Sequence, residues 1–303
     1  MGYFARRVLA ALLLVFAVSS GALLLAQLAP GDFVTAIGRN PEEVAVERHR
    51  LGLDRPFHEQ YATWLKRSLT LDLGESYQFE QPVTTVLAQA AGNTARLALL
   101  ALLVATALGI PAGVVTGSSA AWPSRIITAV SLAVLSVPPL IGSLVLLTFA
   151  ARTGWLPVSG MGSPVHYIVP TLALALPVAA MLERLQSESI AQALARPSSA
   201  AARARGIPES RVVWRHAWRQ SLGPVLAIYG VVVGTLFSGS FAVEIVTSWP
   251  GLGRMMQQAL MSRDTNLVAG CAAVGAAFLA IGILAADVAH VLSDPRADLE
   301  SSR

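Results

Sequence analysis

The side chains that could do chemistry are few and scattered. There are five histidines (His49, His58, His166, His216, His290) and one cysteine, Cys271, which lies inside an apolar run. No H-E-x-x-H pair and no cysteine cluster occurs, so the spacing offers no metal-ligand set and no internal disulfide. Ser238-Gly-Ser240 has the residue type of a nucleophile, but no histidine stands near it to act as its base. A G-x-x-x-x-G-K-[ST] phosphate loop is absent, which removes that route to ATP chemistry. What remains is a handful of ionisable residues inside or bordering long apolar runs: Glu183 and Arg184, Glu244, and Asp287 with His290 one helical turn further on. Acids in that setting suit the passage or gating of a polar solute. Glu244 and Asp287 are the candidates for lining such a path.

The elements that must hold these residues are set by composition. The chain has 303 residues, 54% hydrophobic and 13% charged, against roughly 25% charged in an average soluble domain. Crossing a hydrocarbon core takes about 20 apolar residues. Six runs satisfy this: Val8–Ala29, Thr94–Gly117, Ile126–Ala151, Tyr167–Ser187, Pro224–Thr247 and Leu267–Leu292. The first exceeds the roughly 7–15 residues of a signal-peptide apolar region and is expected to be retained as a span. The net charge of +4 does not imply nucleic acid, because the basic residues fall between apolar runs. Arginine marks the inner side: Arg6 and Arg7 precede the first run, six arginines crowd 196–219, and Arg296 and Arg303 follow the last. The expectation is an all-α polytopic membrane protein of six spans, both termini and the 188–223 loop cytoplasmic. It divides into an N-terminal helix (1–29), an extracytoplasmic segment (30–93), a five-helix core (94–292) and a tail (293–303). In the segment 30–93, Pro41-Glu-Glu43 reads as a helix start. Tyr61, Trp64 and Leu65 share the apolar face of a second helix. Pro111, Pro138-Pro139 and Pro177 each remove a backbone donor within a span.

The loop 198–224 is the most informative stretch. Ser199–Arg205 is alanine and arginine, strong helix formers. Gly206 supplies a left-handed corner, and Pro208 with Glu209 opens the next helix. On that helix Arg211, Arg215 and Arg219 form a polar stripe, while Trp214, Ala217, Trp218 and Leu222 share another face suited to the inner leaflet. A short helix of small residues before a glycine corner suits a groove on another protein.

The pattern A-R-A-R-G at Ala202–Gly206, R-H-A at Arg215–Ala217, Arg219 and Pro224 resembles the EAA loop of binding-protein-dependent ABC permeases, most closely the dipeptide/oligopeptide/nickel family. Three further blocks are similar to that family: Leu51–Tyr61 with Leu71–Tyr77, Val243–Arg254 with Ser262-Arg-Asp264, and Asp294-Pro-Arg296. The loop departs from it in opening with Ser199-Ala-Ala201 in place of Glu-Ala-Ala, and in carrying Trp218 and Gln220. The resemblance implies an inner-membrane permease subunit importing peptides, nickel chelates or a similar small solute. It implies a homologous second permease, two ATP-binding subunits and an extracytoplasmic substrate-binding protein. It also assigns Ala201, Ala202, Arg203, Ala204, Arg205, Gly206 and Ile207 to the ATPase-coupling loop. The chain itself is expected to hold no cofactor or metal and to catalyse nothing. An ion-coupled secondary transporter is the alternative; it calls for midplane acids and inverted repeats, and neither stands out.

Overall fold

A computed structural model describes residues 2–36 and 40–293. The block at Asp294 and all but the first residue of the tail therefore lie outside the described residues, as does the side chain of His290. Helices make up nearly everything described. They are α1 (Gly2–Leu28), α2 (Phe33–Ala36), α3 (Pro41–Arg50), α4 (Phe57–Ser68), α5 (Val83–Ser118), α6 (Trp122–Leu135), α7 (Pro139–Thr153), α8 (Ile168–Ala195), α9 (Pro197–Ala204), α10 (Glu209–Arg211), α11 (Trp218–Ala227), α12 (Tyr229–Val246), α13 (Leu252–Ser262) and α14 (Thr265–Ser293). The two strands, β1 (Glu75–Ser76) and β2 (Gln81–Pro82), pair antiparallel, Glu75 opposite Pro82.

Five helices are long and apolar enough to cross a bilayer; the pair α6 and α7, bent by 105°, makes a sixth crossing if it counts as one span. A single helix was expected over 126–151. It breaks at the paired prolines: Pro138, which itself precedes a proline, is pushed out of the helical region to φ −57°, ψ 144°. Pro111 and Pro177, by contrast, lie inside continuous helices.

The chain forms two compact units. The first comprises residues 1–94 and 250–280. The helix expected from Pro41 is α3, with proline in its first turn and Glu42 and Glu43 beside it. Trp64 is buried with Leu23 and Ala269, and Tyr61 and Leu65 pack beside them, so the apolar face read from the sequence is the packed one. A second cluster joins Val83 and Leu87 of α5 to Leu252, Leu267, Val268 and Cys271. This burial explains why α5 starts eleven residues ahead of the run at Thr94. The fully buried Asp264 ties the hairpin to α14: it accepts from Ser76 Oγ (2.6 Å), the Gln78 amide (3.1 Å) and the Leu267 amide (3.0 Å). Capping and cross-bracing are thus done by one carboxylate.

The second unit comprises residues 95–249 and 281–303. Its centre is α8, which packs on α6, α7, α11 and α12. Against α5 the approach is close. A Cβ placed on Gly109, Gly113 or Gly117 would lie 2.4, 2.6 or 2.3 Å from the carbonyl oxygens of Ala179, Glu183 and Ser187. Both sets recur every four residues, so one glycine face lies against successive turns of α8, as in membrane helices that meet through small residues. The G-x-x-x-G spacing in the second apolar run is the sequence signal of this seam.

Replacing Gly113 with alanine is expected to destabilise the solubilised protein by about 1–3 kcal/mol through overpacking. Gly275, whose added Cβ would meet nothing within 4 Å, is the control: Gly275→Ala should leave the thermal midpoint unchanged or raised.

Candidate functional site

The loop singled out by sequence runs from the end of α8 to the start of α11. Arg196 leaves the helix in an extended conformation (φ −68°, ψ 149°), and Pro197 starts α9 in its first turn. The small residues then divide. Ser199 and Ala202 are buried, and the Ser199 hydroxyl donates to the Ala193 carbonyl at 2.8 Å. Ala200, Ala201, Ala204, Arg205 and Gly206 are exposed, and Ile207 is half-buried. The expected left-handed corner is present at Gly206, with φ +75°. A Cβ there would meet nothing within 4 Å, so it is backbone conformation, not space, that calls for glycine.

Beneath the loop Ile190, Ala193, Val213 and Ala217 form a buried cluster with Val114, flanked by Leu194 and Trp218. Polar clasps close the rim. The Arg203 guanidinium grips Glu209 with two bonds, Nη2 to Oε1 at 2.7 Å and Nε to Oε2 at 2.9 Å, and also reaches the Leu194 carbonyl at 3.3 Å. That grip holds the Glu209 carboxyl below its ordinary value of 4.5 and raises the Arg203 guanidinium. Both groups are well exposed, so the pair orients the corner and adds little stability. Gln220 links back to the loop, accepting from Arg196 (3.3 Å) and donating to Ser198 (3.4 Å).

The second helix differs from expectation. After the three residues of α10, Val212–Ala217 is a π-helical turn, and α11 follows. The extra residue in a π-turn shifts the rows of side chains. The buried row is Val213, Ala217, Ser221 and Val225, while Trp214, read from the sequence as facing the inner leaflet, is 54% exposed. Its ring leans on Trp218 at 6.0 Å between centroids. Arg211, Arg215 and Arg219 are all exposed, as a polar stripe requires.

The acids proposed for a path lie on other helices, Glu244 on α12 and Asp287 on α14. Glu244 has no exposed surface and lies near the end of α12, where its carbonyl accepts from the Trp249 amide at 2.9 Å. Asp287 is half-buried on α14. Sequence reading placed Glu183 at the end of a span. It lies instead well inside α8, 1% exposed, with Oε1 accepting from Thr116 Oγ1 at 2.5 Å. Three residues on, the buried Gln186 donates to Ser221 Oγ at 2.8 Å. So α5, α8 and α11 are joined by a polar junction just above the loop.

The order of these features is that of a known transport family. Residues 109–299 match the profile of the binding-protein-dependent transport system inner membrane component, and residues 1–98 match that family's N-terminal component. The chain belongs to this family. It is an ABC importer permease of the peptide/nickel type. Similar proteins include the glutathione transport system permease protein GsiC of Pectobacterium atrosepticum, 34% identical over 88% of this chain and 89% of that one. The proteins of the same name from two Escherichia coli strains are 31% and 30% identical over the same shares. The family profile spans the whole loop, α9 and its glycine corner included.

The clasp gives a pH dependence of definite sign. Because the folded Glu209 carboxyl titrates below its ordinary value, its contribution is complete above that ordinary value and is lost as pH falls through the depressed one. Amide exchange at Gly206 and Ile207, corrected for intrinsic rate, is expected to rise across that acidic window. In Glu209→Gln it should be raised at every pH.

Proposed function

We propose that this permease pairs with a homologous second permease in the bacterial inner membrane and is driven by two separate ATP-hydrolysing subunits. An extracytoplasmic binding protein would deliver the solute. Both termini and the 188–223 loop then face the cytoplasm, as the arginine distribution favours, and no ATP chemistry takes place on this chain. The loop Ala201–Ile207 seats in a cleft of an ATPase subunit and passes its closure to α8 and α11 as a rigid-body displacement.

The observation that carries this reading is the face of α9. Exposed alanines at 200, 201 and 204 leave no long side chain between the helix and a partner surface, while Ser199 and Ala202 on its other side are locked to the α8 end. A helix presented this way is stiff, smooth and anchored, which suits a part that must transmit force. The relatives are named for glutathione transport, so the cargo is proposed to be of the small-peptide class, with glutathione as the first solute to test and nickel chelates as the second. Asp287 borders the path in this reading. Glu244, with no exposed surface, touches solute only after α12 moves.

The test is uptake by the reconstituted complex, driven by ATP in the absence of an ion gradient. A β-branched residue held at positive φ costs about 1–2 kcal/mol. Gly206→Val is therefore expected to lose uptake while inserting and assembling normally, and Gly206→Asn, which tolerates the left-handed region, should retain most of it. Full uptake by Gly206→Val, or uptake that follows a sodium or proton gradient without ATP, contradicts the coupling role.

A further inference from the structure

The segment 30–93 carries nine acids against six lysines and arginines, yet the first unit sorts those charges between two adjoining cavities. The smaller, about 240 Å³, has no aspartate or glutamate in its wall. It is lined instead by His49, Arg50, Arg55 and Arg67, over a floor that includes Leu23 and Trp64, 3% and 7% exposed. The larger, about 830 Å³, takes four carboxylates: Glu47, Asp72, Glu75 and Glu80. Arg50, Arg67, Gly74, Tyr77 and Asn266 line both, so the two spaces meet along one wall. All of these residues belong to the first unit.

Some of the charges are already matched: His49 holds Asp54 at 2.7 Å, and Arg50 holds Glu47 at 2.6 Å. Others are not. Arg67 approaches Asp72 only at 3.9 Å, too long for a hydrogen bond. Arg55 on one side, and Glu75 and Glu80 on the other, make no ion pair among the described residues. The indole N–H of Trp64 is buried without a partner. Glycine backbone brings the donors in close. A Cβ on Gly52 would lie 3.7 Å from Arg55 Nε, and one on Gly74 would lie 3.2 Å from Asn266 Nδ2 and 3.7 Å from Arg67 Nη1. Arg67 and the Asn266 amide therefore converge above Gly74, on the wall the cavities share. The Arg50 guanidinium on that wall is raised first by its hydrogen bond to Glu47 and more weakly by the charges of Glu80 and Glu75, so the two poles lie side by side.

A simple anion in the smaller cavity would leave Glu75 and Glu80 unanswered beside it. A simple cation in the larger one would leave Arg55 unanswered. A molecule carrying both charges meets both demands. The smaller cavity falls below the roughly 300–1,000 Å³ that enclose a whole drug-sized ligand, so it takes an end group. We propose that the two cavities form one site for a small zwitterion, its oxyanion end on Arg55 and Arg67 and its ammonium towards Glu75 and Glu80. The planar fork of a guanidinium is matched to an oxyanion, and two of them border this end. A free dipeptide presents these two ends, and so does the headgroup of phosphatidylethanolamine. In a solute they are the ends of a short peptide, so the site bears on the cargo proposed above without depending on the coupling loop.

Ligand-observed NMR on the full-length chain in phosphatidylglycerol nanodiscs, referenced to empty discs, measures binding without ATP or partner subunits. Alanyl-alanine is expected to bind. Alanyl-alanine amide, which lacks the carboxylate, and N-acetyl-alanyl-alanine, which lacks the ammonium, should each bind about tenfold more weakly. Arg55→Gln should weaken the free dipeptide about tenfold and leave the amide as it was. Glu75→Gln combined with Glu80→Gln should weaken the free dipeptide and leave the N-acetyl form as it was. All three side chains are exposed, so these variants keep the fold. Absence of binding, equal binding of free and blocked dipeptides, or an affinity unmoved by Arg55→Gln overturns the proposal. Repeating the titration with phosphatidylethanolamine in the disc identifies the source of the zwitterion. Competition by that lipid assigns the site to the headgroup; unchanged binding assigns it to the solute. Gly206→Val, which stops ATP-driven uptake if the coupling role is right, should bind the dipeptide as wild type does, so the two readings fall separately.

Discussion

In hydrocarbon, two apolar helices gain nothing by hiding from solvent, so their association rests on close packing. The seam where Gly109, Gly113 and Gly117 lie against the carbonyls of Ala179, Glu183 and Ser187 is where the second unit obtains it. Removing three side chains brings two backbones within contact over two turns. Around that seam α8 collects α6, α7, α11 and α12, and the cluster of Leu97, Ala101 and Ala105 with Ala175, Val178 and Leu182 continues it along the span. The same helix then runs without interruption to Ala195 and on through Arg196 into α9. A push on the loop therefore acts on a rod already bonded, turn by turn, to α5.

What could be read from the sequence was what depends on a few neighbouring residues. Gly206 is an example: an alanine-arginine helix followed by glycine and a proline two residues later admits few backbones, and the corner is left-handed as read. The helices from Pro41 and around Trp64 are others, because their signals are a proline in the first turn and a three-four apolar spacing. Runs of about 20 apolar residues located the spans. Their ends were less legible, since α5 is extended to Val83 by burial against Leu267 and Val268, which lie far along the chain.

What escaped reading depends on contact between distant segments. Pro138-Pro139 announced a disturbed helix, but whether prolines kink or break one is decided by the neighbours that take up the freed carbonyls. Here the chain stops and restarts with a 105° change of direction. The π-turn at Val212–Ala217, where a regular helix was read, carries no composition signal. Glu183 was read, with Arg184, as bordering the end of the fourth apolar run. Its burial follows from Gly113, which lets α5 come close enough for Thr116 to reach the carboxyl.

The polar junction answers a weakness of the seam itself. Glycines at every fourth residue fit carbonyls at every fourth residue in more than one register: sliding α5 along α8 by a single turn would put Gly113 opposite Ala179 and Gly117 opposite Glu183, giving up only one of three contacts. Packing alone distinguishes such states poorly. Side-chain hydrogen bonds distinguish them well, because the same slide would carry Thr116 away from Glu183 and leave a buried oxygen bare, at a cost of about 1–3 kcal/mol or more for a charged group. The bond from Gln186 to Ser221 sets α11 against α8 in the same manner. Buried polar groups that select a register are the best-attested use of such pairs. They lie on the same helix that runs on to Ala195 and the loop, so an error in register there would be carried into the position of α9.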